Sequence, residues 1–166
     1  MKRILLLLFL AAGIVTQVSL LPALRPFGVV PGLVLVLVVL LGLRLTVSQA
    51  LTLALVGGVV MDLSSGTDFG LHTGILVLAA LLAGMVRRSG VALFGPLVAV
   101  GLVLIVSLLS AALSLAAIVG SLSLGLTGPV FATLLGELVL NLALTLGIRP
   151  IINRLAPDES TLPTIA

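Results

Sequence analysis

Long apolar runs separated by short gaps fill this chain, and its basic residues sit almost wholly in every second gap. Lys2 and Arg3 precede the first run, Arg44 follows the second, Arg87 and Arg88 follow the fourth, and Arg149 and Arg154 follow the sixth, with Arg25 as the exception. Cytoplasmic loops of membrane proteins carry an excess of Lys and Arg, so seven basic residues in one class of gap against one in the other orient the chain. The pattern predicts a six-span protein of the bacterial inner membrane with both termini in the cytoplasm.

Composition narrows the class further. Hydrophobic residues make up 61% of the 166 positions and charged residues only 8%, whereas soluble domains carry about 25% charged residues. The net charge of +3 would suggest nucleic acid in a soluble domain. Here the basic residues are explained as topology signals and contacts to lipid headgroups, and no nucleic-acid partner is expected. The absence of Cys excludes disulfides, thiolate metal sites and Cys nucleophiles.

The expected spans are 4–21, 29–43, 47–63, 71–86, 96–119 and 128–148, forming one membrane domain over 1–152 with a short, polar cytoplasmic tail at 153–166. Pro22 is expected to close the first span and Pro150 to lie beyond the last. The second span is short, about 22 Å at 1.5 Å per residue against a hydrocarbon core of about 30 Å. Pro96 suits a first helical turn. Continuous apolar runs exclude a β-barrel, whose strands alternate. The start of the chain resembles a signal peptide, but the apolar run continues to Leu21 without a small-residue cleavage site, so an uncleaved first span is expected. The fold class is therefore an all-α integral membrane protein.

Helix faces carry the next layer. Ala50, Ala54, Gly58 and Asp62 recur every four residues and share one face, which Gly57 widens, so another backbone can approach closely. Gly70 and Gly74 continue the theme at the outer end of the fourth span, and Ala79, Ala80, Ala83 and Gly84 at its inner end. These small residues serve either packing within the chain or docking of a partner's transmembrane helix.

Ionisable residues in the spans are few. Glu137 lies nine residues into the last span, hence about 14 Å deep, where a carboxylate must be neutral, paired or facing a wet interior. It shares a face with Asn141, one turn on. Proton relay, ligand binding, partner contact and plain packing all remain open for it. Asp62 and His72 end consecutive spans and flank a turn containing Asp68, a set suited to a helix cap or loop clasp and too sparse for a metal site. Thr16, Gln17 and Ser19 are expected to hydrogen-bond between helices. No phosphate loop, zinc-protease motif or nucleophile set is present, so neither an enzyme nor a cofactor is expected.

The stretch from Pro31 to Arg88, about a third of the chain, carries a recognisable pattern. A Pro opens a Leu/Val-rich span that ends in Leu43-Arg44. There follow Gly57-Gly58-Val59-Val60-Met61-Asp62-Leu63-Ser64-Ser65-Gly66, then Phe69-Gly70-Leu71-His72, and Ala83-Gly84 before Arg87-Arg88. This pattern resembles the rod shape-determining protein MreD family. Where that family often has an acidic or amide residue after the Pro, this chain has Gly32. The resemblance implies a subunit of the elongasome, the assembly that directs side-wall peptidoglycan synthesis. It further implies docking of the single transmembrane helix of MreC, with RodA, a class B penicillin-binding protein and MreB in the same machinery. The family's fold resembles the six-helix substrate-binding subunits of energy-coupling-factor vitamin transporters, which supplies the alternative function. With no Trp, no Tyr and five Phe, the chain has few groups to stack on a flat ligand.

Overall fold

The computed structural model describes residues 2–24, 29–65, 69–90, 95–121 and 128–155, and every regular element among them is helical. In chain order these are α1 (Lys2–Val15), a π-helical segment (Thr16–Leu20), α2 (Leu21–Leu24), α3 (Leu33–Gly42), α4 (Val47–Ser65), α5 (Leu71–Arg88), α6 (Pro96–Ser121) and α7 (Gly128–Leu155). Four of them, α4 to α7, are long and apolar enough to cross a membrane. Their outward faces carry Leu55, Val56, Val59, Leu63, Leu97, Ile105, Leu135 and Val139, all exposed. In water such faces would be an association hazard, whereas in lipid they are the favoured surface.

Local chemistry sets the helix ends. Thr46 and Gln49 form a reciprocal capping box at the start of α4: the Thr46 N–H donates to Gln49 Oε1 (3.1 Å) and the Gln49 N–H to Thr46 Oγ1 (3.4 Å). Pro96 opens α6, a position where its missing N–H is not needed. Arg87 and Arg88 occupy the last turn of α5 beside its negative dipole end, and Gly90 follows with φ +73°.

The second expected span is shorter than the sequence suggests. The chain enters it in a non-helical stretch at 29–32, and α3 has only ten residues, about 15 Å of helix. Every residue from Val34 to Gly42 is buried, so α3 is a central post rather than a lipid-facing span. Irregular backbone ahead of it is tolerable at that depth because protein, not lipid, surrounds it. Leu10 and Ile14 of α1, Ala50, Leu53 and Ala54 of α4, Ala79 and Ala80 of α5, and Leu102, Val103 and Val106 of α6 complete the core around it.

Two prolines do not end helices as expected. The first helical run passes through Pro22 to Leu24, with the π segment directly upstream. There the Leu21 N–H donates to the Thr16 carbonyl, an i to i+5 bond that loosens the ladder just where proline lacks its donor. Likewise α7 continues through Pro150 to Leu155. The terminal turn is held from outside, since Arg44 Nη2 donates to Asn153 Oδ1 (2.7 Å) and Ile152 is buried. Asn153 thus belongs to the helix rather than to a tail. Arg154 and Leu155 belong to that helix too, while residues 156–166 of the expected tail, Arg25 and Asp68 lie outside the described residues.

One end of the bundle gathers Arg44, Arg87 and Arg149. Arg44 after α3 meets Asn153 of α7, Arg87 of α5 donates to the Leu45 carbonyl, and Arg149 of α7 lies beside Gly95 ahead of α6. The Asp62 end of α4 and the start of α5 lie at the opposite end.

Candidate functional site

The most extensive helix contact is α4 against α5, and the expected small-residue stripe lies in it. Ala50, Ala54, Gly57, Gly58 and Asp62 are all buried. A Cβ at Gly58 would collide with Thr73 Cα, one at Gly84 would come within 2.8 Å of Val47 Cγ2, and one at Gly42 within 2.7 Å of Ala83 Cβ. Ala79, Ala80, Ala83 and Gly84 of α5 are also buried, with Gly84 towards Val47 of α4 and Ala83 towards Gly42 of α3. Gly74 is different: it is exposed, with open space where a Cβ would stand.

Close approach at Gly58 brings Asp62, one turn on, over the first turn of α5. Its Oδ1 accepts from the His72 N–H (2.9 Å) and from His72 Nδ1 (3.0 Å). Its Oδ2 accepts from the Gly70 N–H (3.0 Å), the Thr73 N–H (3.1 Å) and Thr73 Oγ1 (2.6 Å). Gly70, at φ +99°, turns the chain so that these donors converge. A helix start leaves its first N–H groups without intrahelical partners, and here a carboxylate from the preceding helix takes that role. With both oxygens engaged as acceptors, His72 Nδ1 is the donor in its contact with Oδ1.

A second polar set joins α7, α6 and the start of α3. Asn141 is fully buried. Its Oδ1 accepts from the Gly32 N–H (2.7 Å), and its Nδ2 donates to Ser107 Oγ (3.0 Å). Gln17, in the π segment, accepts from the Val34 N–H (2.6 Å) through Oε1. Thr145 Oγ1 donates back to the Asn141 carbonyl (2.6 Å). The buried start of α3 is therefore capped by two side chains distant in sequence. Unpaired, each buried N–H would cost about 1–3 kcal/mol.

Between these two sets lies a cavity of about 360 Å³ whose wall includes Gln17, Ser64, His72, Ser110, Ser114 and Glu137 as polar groups and Val34, Leu35, Met61, Ile75 and Leu76 as apolar ones. Glu137 is partly buried there, one turn from Asn141 and within reach of its amide. The sequence pairs Glu137 with Asn141 and Asp62 with His72 without joining the two pairs; in the structure Glu137 and His72 share one cavity. Ser110 and Ser114 are not among the candidates it marks. Their signal was present, since Ser107, Ser110 and Ser114 follow helical spacing on α6 and answer the Glu137, Asn141, Thr145 stripe on α7. Among the described residues no group of three His, Cys, Asp or Glu side chains is placed to hold a metal ion.

No family model, no curated protein and no solved structure matches this chain.

Proposed function

We propose that this protein is a non-catalytic scaffold of the MreD type: six spans in the bacterial inner membrane, both termini cytoplasmic, binding the transmembrane helix of MreC. Through MreC it would help to position side-wall peptidoglycan synthesis. The observation that carries this reading is the Asp62 clasp. Chance likeness between apolar sequences would scatter over lipid-facing positions, whereas here Gly58, Asp62, Gly70 and His72, which carry the resemblance, act together in one device. The departure at Gly32 has a compensation as well, because Asn141 brings an amide to that backbone from α7. In this reading the short α3 counts as a sheltered second span and the helical run Lys2–Leu24 as the first, in a fold like that of energy-coupling-factor substrate-binding subunits.

With Ala50, Ala54 and Gly58 all buried within the chain, MreC must dock elsewhere. Of the original set Gly70 and Gly74 have open space where a Cβ would stand, and Gly74 is the one within a helix, where another helix can approach. Copurification of untagged membrane partners, identified by mass spectrometry, tests the reading. Recovery of a single-pass cell-wall protein, reduced by Gly74→Leu while the fold is retained, is expected. Recovery of a transporter ATPase module instead would overturn it.

That second outcome belongs to the alternative, a vitamin-binding transporter subunit, which the cavity favours. No Phe, Tyr, Trp, Lys or Arg is found in the described lining, and His72 is held by Asp62, so a flat or anionic vitamin would find little to hold it.

A further inference from the structure

We propose that the cavity between α4, α5, α6 and α7 is a binding site for a small aliphatic ammonium group, with Glu137 as its anionic partner. The lining decides the chemistry by what it offers and what it lacks. Glu137 supplies a carboxylate, and Ser64, Ser110 and Ser114 supply hydroxyls. Gln17 has spent its carbonyl oxygen on the Val34 N–H and presents its NH₂ group. His72 is held through Nδ1 by Asp62. Carboxyl and hydroxyl oxygens therefore supply most of the polar wall.

An anionic ligand would face Glu137 with no Lys or Arg among the described lining residues to offset it. A flat ring would find no Phe, Tyr or Trp face among the described lining residues. A primary ammonium on a short alkyl chain matches both halves of the wall: its N–H donors meet Glu137 and the hydroxyls, and its methylenes meet Val34, Leu35, Ile75 and Leu76. The volume of about 360 Å³ lies at the small end of the range for ligand sites, about 300–1,000 Å³. The ammonium could belong to a free amine or to an ethanolamine lipid headgroup; the chemistry recognised is the same.

The site concerns the cavity alone and is independent of whether the protein serves as a scaffold or a transporter subunit. Its test uses purified full-length chain and three probes of one shape, n-butylammonium, n-butanol and butyrate, followed by calorimetry and thermal unfolding. Wild type is expected to bind butylammonium in preference to the other two. Glu137→Gln, which keeps size and hydrogen bonding, is expected to weaken butylammonium binding about tenfold or more and to abolish the preference. Ser114→Ala should weaken it by a few fold, and it decides the matter should the Gln variant not fold. Equal binding of the three probes by wild type, no binding of butylammonium, or undiminished binding by the folded variants would overturn the proposal. In nanodiscs, loss of butylammonium binding when phosphatidylethanolamine replaces phosphatidylcholine would assign the site to the lipid headgroup, and unchanged binding to a free amine. Copurification of MreC, measured in parallel, keeps failure of this site distinct from failure of the scaffold reading.

Discussion

At the scale of single residues, Asp62 shows how a buried carboxylate is made tolerable in this fold. Backbone N–H groups at the start of α5 and two side chains converge on it, and hydrogen bonds to a charged group contribute about 1.5–3 kcal/mol each. Asp62→Asn keeps the shape but turns an NH₂ group towards backbone donors. A loss of stability on the order of 3 kcal/mol is expected, against about 1 kcal/mol for His72→Ala, which removes one donor. Denaturant unfolding in detergent micelles would rank the two, and equal losses would contradict a capping role. The glycines make a sharper contrast. Gly58→Ala places a methyl against the backbone of Thr73 and should cost about 1–3 kcal/mol. Gly74→Ala meets nothing and should be neutral or stabilising by up to about 1 kcal/mol through helix propensity. That Ala50, Ala54, Gly58 and Asp62 share a face was legible from their four-residue period; which helix they face was not, because period carries no information about the neighbour.

At the scale of elements, α3 is the part least legible in sequence. Its apolar run reads as a span, yet nothing local shows that its first N–H groups are met by Gln17 and Asn141, 17 and 109 residues away along the chain. Local signals did survive where the partners are local: Pro96 marked a helix start, and the Thr46 and Gln49 box opens α4. Pro22 and Pro150 misled because a proline ends a helix only where nothing else holds the next turn. A π segment prepares the first and the Arg44 contact to Asn153 secures the turn after the second. The caps on α3 lead to a prediction. Asn141→Leu leaves the Gly32 N–H and Ser107 hydroxyl without their partner, at about 1–3 kcal/mol for the buried N–H. Hydrogen exchange at Gly32 and Val34 should then quicken together while exchange in the middle of α5 stays slow. Unchanged protection at Gly32 would mean that the cap does not hold α3.

At the scale of the whole molecule, the charge pattern and the packing agree on a polarity. Arg44, Arg87 and Arg149 gather at one end, while the clasp of Asp62 lies at the other, and the proposed topology puts the first, basic end in the cytoplasm. Two exposed turn residues sample the two ends: Ser89 follows α5, and Phe69 precedes it. Because the chain has no Cys, Ser89→Cys and Phe69→Cys each introduce a single thiol without removing a native one. A membrane-impermeant maleimide should label Phe69→Cys in intact spheroplasts and Ser89→Cys only after permeabilisation or in inverted vesicles. The reverse pattern would invert the topology. Labelling of both from outside would mean that α5 does not cross the membrane, and with it the six-span arrangement would fail. Neither substitution touches the clasp donors or the polar lining of the cavity, so the labelled chains can also be assayed for partner and amine binding.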